Sequence, residues 1–290
     1  MTKTYGGQSM IAPLRRVLVR RPDESFGNAD PLQWHYTSQP DLARAQAEHD
    51  ALVATLRRAG AEVVYHDVEQ PGRADSIFVF DPALITDAGA IALSMGKTLR
   101  RGEEAAIVSM FERLGIPLIA SLEGKARAEG GDMLWLDEAT LAVGLGFRTN
   151  AEGVLQLRSV LEPAGVTVLA YDLPYFTGPE ACLHLLSLIS IVDERLAVVH
   201  PPLMSTPFWQ ELERRGFNLI VIPEHEFATQ ATNVLAIAPG QCLMLEGNPE
   251  TKRLLEQAGC EVQTYRGEEL SLKAEGGPTC LTRPILRGQK

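Results

Sequence analysis

Cysteines, cations and long apolar runs are all scarce in this chain of 290 residues. The four cysteines, Cys182, Cys242, Cys260 and Cys280, are too thinly spread for a secreted disulfide scaffold. They form no CxxC pair and no Cys–His cluster at zinc-like spacing, so no structural metal is expected. The longest apolar stretch, Leu183 to Val192, falls far short of the ~20 residues of a membrane helix and contains a histidine. The opening MTKTYGGQSMIAPLRR has no apolar core of the kind a signal peptide needs. Together these absences predict a cytoplasmic protein that does not engage a membrane. Lys and Arg number 27 against 37 Asp and Glu, a formal charge of −10. A phosphate backbone is gripped by clustered cations, so nucleic acid is not an expected partner, whereas a small cationic substrate is compatible with the charge. Linkers are missing too: no Pro/Gly/Ser-rich stretch divides residues 1–290, which predicts one domain.

What the sequence has instead is repetition. The end of an amphipathic helix, a glycine and an extended apolar run recur around Gly60, Gly115, Gly165, Gly216 and Gly259, at intervals of 55, 50, 51 and 43 residues. Each glycine suits the left-handed position that ends a helix, and each apolar run reads as a buried strand. Two further short apolar segments joined by a turn precede each helix, as in MLWLDEATLAVGLG before the helix Ala151–Leu161. Helices are likewise expected over Leu42–Arg58, Glu103–Leu114, Pro207–Arg215 and Pro249–Ala258. None of these units can bury its apolar face alone, so the five predict one closed ring of αβ repeats. The N-terminal strand in RRVLVRRP should complete a repeat begun by LTRPILR at the C-terminus. The stretch 24–41 (ESFGNADPLQWHYTSQPD) lacks periodicity and reads as an irregular loop, either a lid over a site or a surface excursion.

Four segments carry residues capable of chemistry. In EGGPTCLT, Cys280 follows a Gly-Gly-Pro turn, where backbone amides are accessible to a thiolate, although a cytosolic cysteine is more often a buried structural residue. In AEGGD, Glu129 and Asp132 flank a glycine pair at the entrance to a strand; taken alone this is an ordinary acidic turn with glycine at positive φ. In DSIFVFDP, Asp75 and Asp81 bracket what reads as a strand. In CLHLLS, His184 stands among leucines, the usual setting of a satisfied core histidine. The remaining histidines have no motif-like neighbours and read as surface or loop residues.

In combination these segments say more. The pattern DxxFxxDP, then EGGD, an isolated histidine and GGPTC, in that order within a fivefold repeat, resembles the guanidino-group-modifying, or pentein, superfamily. Its members are arginine deiminases, amidinotransferases and dimethylarginine dimethylaminohydrolases. The resemblance runs from Leu14 to Arg287 and implies a fivefold pseudosymmetric α/β propeller of ββαβ repeats. It implies Cys280 as nucleophile, His184 as general acid and base, and Glu129 as the carboxylate that holds the histidine. Asp81 would grip the guanidinium, Asp75 would receive a substrate α-amino group, and Arg148 with Arg100 or Arg101 would orient the substrate carboxylate. Asp132 would be structural. No metal or organic cofactor is implied, and a homo-oligomer is compatible with the pattern. Two departures bear on the branch. Deiminases and amidinotransferases usually show His-x-Asp, and here Leu186 follows His184 by two, as in the dimethylarginine hydrolases. Those hydrolases often have an acid just before the gripping aspartate, and here Phe80 stands there. The expected activity is therefore hydrolysis of a guanidino C–N bond in an arginine derivative, to citrulline plus an amine, through a covalent thiouronium. A deiminase, an amidinotransferase and a non-catalytic arginine-binding propeller are the alternatives.

Overall fold

The computed structural model describes residues 3–288. It consists of five three-stranded sheets, each built the same way. In the second sheet Ala83–Ile85 and Ala90–Ala92 form an antiparallel hairpin, and Leu118–Ser121 adds in parallel after the helix Glu103–Arg113. The third repeats this with Met133–Asp137, Thr140–Leu145 and Thr167–Asp172, and the fourth with Ile189–Asp193, Leu196–Val199 and Asn218–Val221. The fifth uses Leu235–Ala238, Gln241–Leu245 and Glu261–Tyr265. A helix is needed in each unit because a parallel neighbour can be reached only by a crossover. The first sheet closes the ring with both ends of the chain. Arg283–Arg287 pairs antiparallel with Leu14–Val19, which pairs parallel with Glu62–Tyr65. This is the fivefold ββαβ propeller that the resemblance implied, and the N-terminal strand completes the C-terminal repeat.

The five recurring glycines end their helices with φ between 69° and 96°, a region costly for any residue with a Cβ. The helices Leu42–Arg58 and Ala151–Leu161 have the expected limits, Glu103–Arg113 and Pro249–Gln257 end one residue early, and Thr206–Arg214 is shifted by one residue at both ends. Each helix packs its apolar stripe on its own sheet and on the next. Leu52 and Leu56, for instance, share a buried cluster with Val17 and Val19 of the first sheet and Leu243 and Leu245 of the fifth. One strand of every sheet borders a common central cavity, so these five strands surround the axis.

Three sequence expectations need correction. Residues 24–41 are not irregular throughout: Glu24–Gly27 and Pro31–Trp34 are short helices capped by Asp23 and Asp30, and Phe26, Trp34 and Tyr36 are buried. Four-residue helices are too short to show a period in sequence. The segment bracketed by Asp75 and Asp81 is not a strand. Ala74–Ile77 is a 3₁₀ turn, and Phe80 donates to the Cys280 carbonyl at 3.2 Å, tying the following turn to the C-terminal segment. Its residues are buried on all sides, which imitates a strand of a covered sheet. Finally, His49, His66 and His200 are buried rather than on the surface.

Candidate active site

Because the five units are equivalent, the segments that lead into their axial strands all arrive at one end of the ring. Asp81 lies just before Ala83–Ile85, Glu129 before Met133–Asp137, His184 before Ile189–Asp193, Asn233 before Leu235–Ala238 and Cys280 before Arg283–Arg287. Each repeat thus delivers one polar side chain to the same place. Asp81, Glu129, His184 and Cys280 line a single buried pocket of about 40 Å³, together with Asp75, Arg100, Arg148, Lys97, Trp34 and Cys182.

Glycine pairs permit this convergence. A Cβ at Gly131 would overlap the His184 ring, and one at Gly277 would overlap the Asn233 side chain. Gly130 and Gly131 do not adopt positive φ, so the EGGD pair serves close approach and not a left-handed turn. In the space so provided, His184 Nε2 lies 2.8 Å from Glu129 Oε2, and the other Glu129 oxygen accepts from the Lys97 amide at 2.9 Å. Burial alone would raise the Glu129 carboxyl, but the bond to His184 and the charges of Arg148 and Arg100 bring it down to about 2. Burial likewise works to lower His184. The groups around it, the Cys182 sulfur, the Asp132 carboxylate and the hydrogen bond to Glu129, outweigh this and raise the imidazole well above its usual value. Asp132 is structural as expected: it accepts from the Thr149 hydroxyl at 2.6 Å and the Leu185 amide at 3.0 Å.

Cys280 has the opposite balance. Burial and the Asp81 charge push its thiol up to about 11, despite a hydrogen bond donated by Asn233 Nδ2 at 3.3 Å. Asn233 in turn accepts from the Thr279 amide at 3.1 Å, so it holds the cysteine turn. A thiol raised this far is neutral near pH 7. Asp81 accepts from the Gly131 amide at 2.9 Å and from Arg100 Nη1 at 2.5 Å. Arg100 is also clasped by Glu103, whose carboxyl burial raises to about 7.

Most of the expected site residues therefore meet, with differences in detail. Arg100 faces the pocket, whereas Arg101 is exposed and contributes only a carbonyl that accepts from Arg73. Most of the Arg100 donors are already committed to Glu103, Asp81 and the Phe78 carbonyl. Arg148 lines the pocket with a buried Nε that has no acceptor among the described residues. Asp75 lines it as well, but its oxygens already accept from the Tyr36 hydroxyl at 2.7 Å and from Lys97 Nζ at 2.6 Å. Lys97, Asn233, Glu103 and Cys182 were not singled out from sequence. Only Asn233 left a signal, since it occupies the fifth unit's place in the repeat. Over the pocket, His35 and Glu180 approach to 2.8 Å from opposite sides, so the 24–41 segment does contribute part of its cover.

These features have known counterparts. A family model for eukaryotic N,N-dimethylarginine dimethylhydrolases matches residues 24–287. The dimethylarginine dimethylaminohydrolase of Streptomyces coelicolor is 31% identical over 271 residues, 93% of this chain and 96% of that one. The Pseudomonas aeruginosa enzyme of the same name is 27% identical over 268 residues, 92% and 98% of the two chains. The structure of a Pseudomonas aeruginosa dimethylarginine dimethylaminohydrolase in complex with citrulline superimposes with a TM-score of 0.78 at 26% identity, covering 93% of this chain and 98% of that one. From the fold, the converging carboxylates, histidine and cysteine, and these matches along almost its whole length, the chain belongs to the dimethylarginine dimethylaminohydrolase family of the pentein superfamily.

Proposed function

We propose that the pocket hydrolyses the bond between the guanidinium carbon and a substituted nitrogen of an arginine derivative, dimethylarginine being the model substrate, to give citrulline and an amine. The observation that carries this reading is the convergence of Cys280, His184, Glu129 and Asp81, one from each of four repeats, in one buried pocket. A guanidinium is a poor electrophile because its charge is delocalised. A carboxylate that grips its edge, as Asp81 would, fixes the plane and aligns the carbon for attack.

The entering cation lowers the pKa of the Cys280 thiol, which releases its proton to solvent, and the thiolate attacks the guanidinium carbon. His184, kept protonated by Glu129, gives its proton to the departing nitrogen, and the amine leaves a thiouronium on Cys280. The now neutral imidazole takes a proton from water, the hydroxide adds to the same carbon, and collapse expels the Cys280 thiolate with the ureido product. Arg148 and Lys97 offer cations to a carboxylate at the far end of the substrate. The steps are complete with side chains and water, so the reading requires no cofactor.

Cys280→Ser should abolish turnover of dimethylarginine, monomethylarginine, arginine and agmatine, read by colorimetric citrulline or ureido assay together with amine detection. Residual turnover in that variant would remove Cys280 from its role. Ammonia in place of an alkylamine as the product of the best substrate would shift the reading to a deiminase.

A further inference from the structure

A second cavity, of about 20 Å³, lies on the ring axis between the five axial strands, and its lining includes Ser9, Phe80, Trp135, Arg283 and Arg287. Arg283 and Arg287 are four residues apart on one strand, so their side chains lie on the same face. Both are more than nine-tenths buried. Among the described residues neither is within ion-pair distance of a carboxylate. Arg283 stacks over the Phe80 ring at 3.6 Å and donates from Nη2 to the Phe80 carbonyl, while its buried Nε has no acceptor. Arg287 Nη1 donates to the carbonyls of Ala12 and Ala236 at 2.8 and 2.9 Å, neutral partners that leave its charge uncompensated.

Two further side chains of the lining add donors. Trp135 Nε1 is buried without a partner among the described residues. Ser9 Oγ already accepts from the amides of Ile11 and Ala12, and its own proton has no acceptor among the described residues. Burial depresses both guanidiniums, each to about 9; for Arg283 the more distant Asp81 carboxylate works against this and the charge of Arg287 adds to it, whereas nothing opposes it at Arg287. Arginine does not give up its proton in proteins, and two like charges buried together are costly unless a counter-charge enters.

We propose that the axial cavity is an anion site that holds one chloride against Arg283, Arg287 and Trp135. A cavity of this size admits a single small ion or one water, and excludes phosphate, sulfate or an organic acid. Chloride supplies one negative charge and accepts hydrogen bonds from several directions, which is what an excess of buried donors requires. The bound ion would also hold Arg283 in place on Phe80, the residue next to Asp81.

The melting temperature of the whole protein is to be measured at constant ionic strength while sodium gluconate is exchanged for sodium chloride or bromide. The expected result is a saturable rise of about 2 °C or more with either halide. It should be accompanied, in crystals grown with bromide, by an anomalous scattering peak between Arg283, Arg287 and Trp135. Arg287→Met should cancel the difference between halide and gluconate; if that variant fails to fold, the bromide peak in the wild type decides. Absence of the peak, or equal melting temperatures in halide and gluconate, overturns the proposal and leaves the cavity to water.

Discussion

Asp81 and Cys280 oppose each other in the pocket, because a buried carboxylate disfavours a second negative charge on the neighbouring sulfur. Removing the Asp81 charge should therefore acidify the thiol. In Asp81→Asn, the midpoint of the pH dependence of Cys280 alkylation by iodoacetamide should lie about one pH unit or more below that of the unsubstituted protein. An unchanged midpoint would mean that the two groups do not communicate. Lys97 raises a different question, that of the α-ammonium group. Lys97 already neutralises Asp75 at 2.6 Å, so an α-ammonium received at Asp75, as we propose, would share that carboxylate with it. Lys97→Met frees the carboxylate. The ratio of kcat/KM for methylarginine to that for its counterpart without the α-amino group should then rise about tenfold, the worth of one charge-assisted hydrogen bond. Both compounds keep their own carboxylate, so whatever Lys97 does for that group cancels in the ratio.

The helix Leu42–Arg58 carries a buried histidine where a leucine would pack as well. His49 is fully enclosed, neither ring nitrogen has a hydrogen-bond partner among the described residues, and burial lowers its pKa to about 4. An unfolded histidine titrates near 6.5, so between these values the unfolded chain takes up the proton and the folded one does not. Stability contributed by the neutral form is complete above pH 6.5 and is lost as the pH falls towards 4. From pH 7 to pH 5 this single residue should cost the protein about 2 kcal/mol. Urea unfolding of His49→Leu at both pH values should show a drop smaller by about that amount. His66, lowered to about 4 for the same reason, titrates over the same window, so the drop that remains in His49→Leu offers an internal comparison.

At the scale of the whole molecule, ring closure is the decisive event. The strand Arg283–Arg287 joins the end of the chain to its beginning, and the adjacent Cys280 is correctly placed only once that pairing has formed. The first sheet otherwise lacks its axial strand, and Val17, Leu18 and Ile285 lose their cover. A chain ending at Thr282 should therefore lose cooperative thermal unfolding and all turnover. One ending at Gly288 should melt within about 1 °C of the full chain, since it keeps every strand of the described residues. Differential scanning calorimetry separates these outcomes.

Much of this architecture is legible in one dimension, because a repeat leaves the same marks each time: a glycine where a helix must turn left-handed, an apolar run where a strand is covered on both faces. The motifs around Asp81, Glu129, His184 and Cys280 are local in the same sense, and equivalence among repeats is enough to predict that they meet. What escaped was proximity across the ring. That Arg100 and not Arg101 faces the pocket, that Lys97 already occupies Asp75, that Asn233 steadies Cys280 and that three histidines are buried all depend on residues far apart in sequence. The glycine pairs show the boundary best. The sequence alone determined that backbone there must be unhindered; only the tertiary structure decided that the space is taken by the His184 ring and the Asn233 side chain, because which neighbour approaches is set by packing between repeats and not by the residues adjacent in the chain.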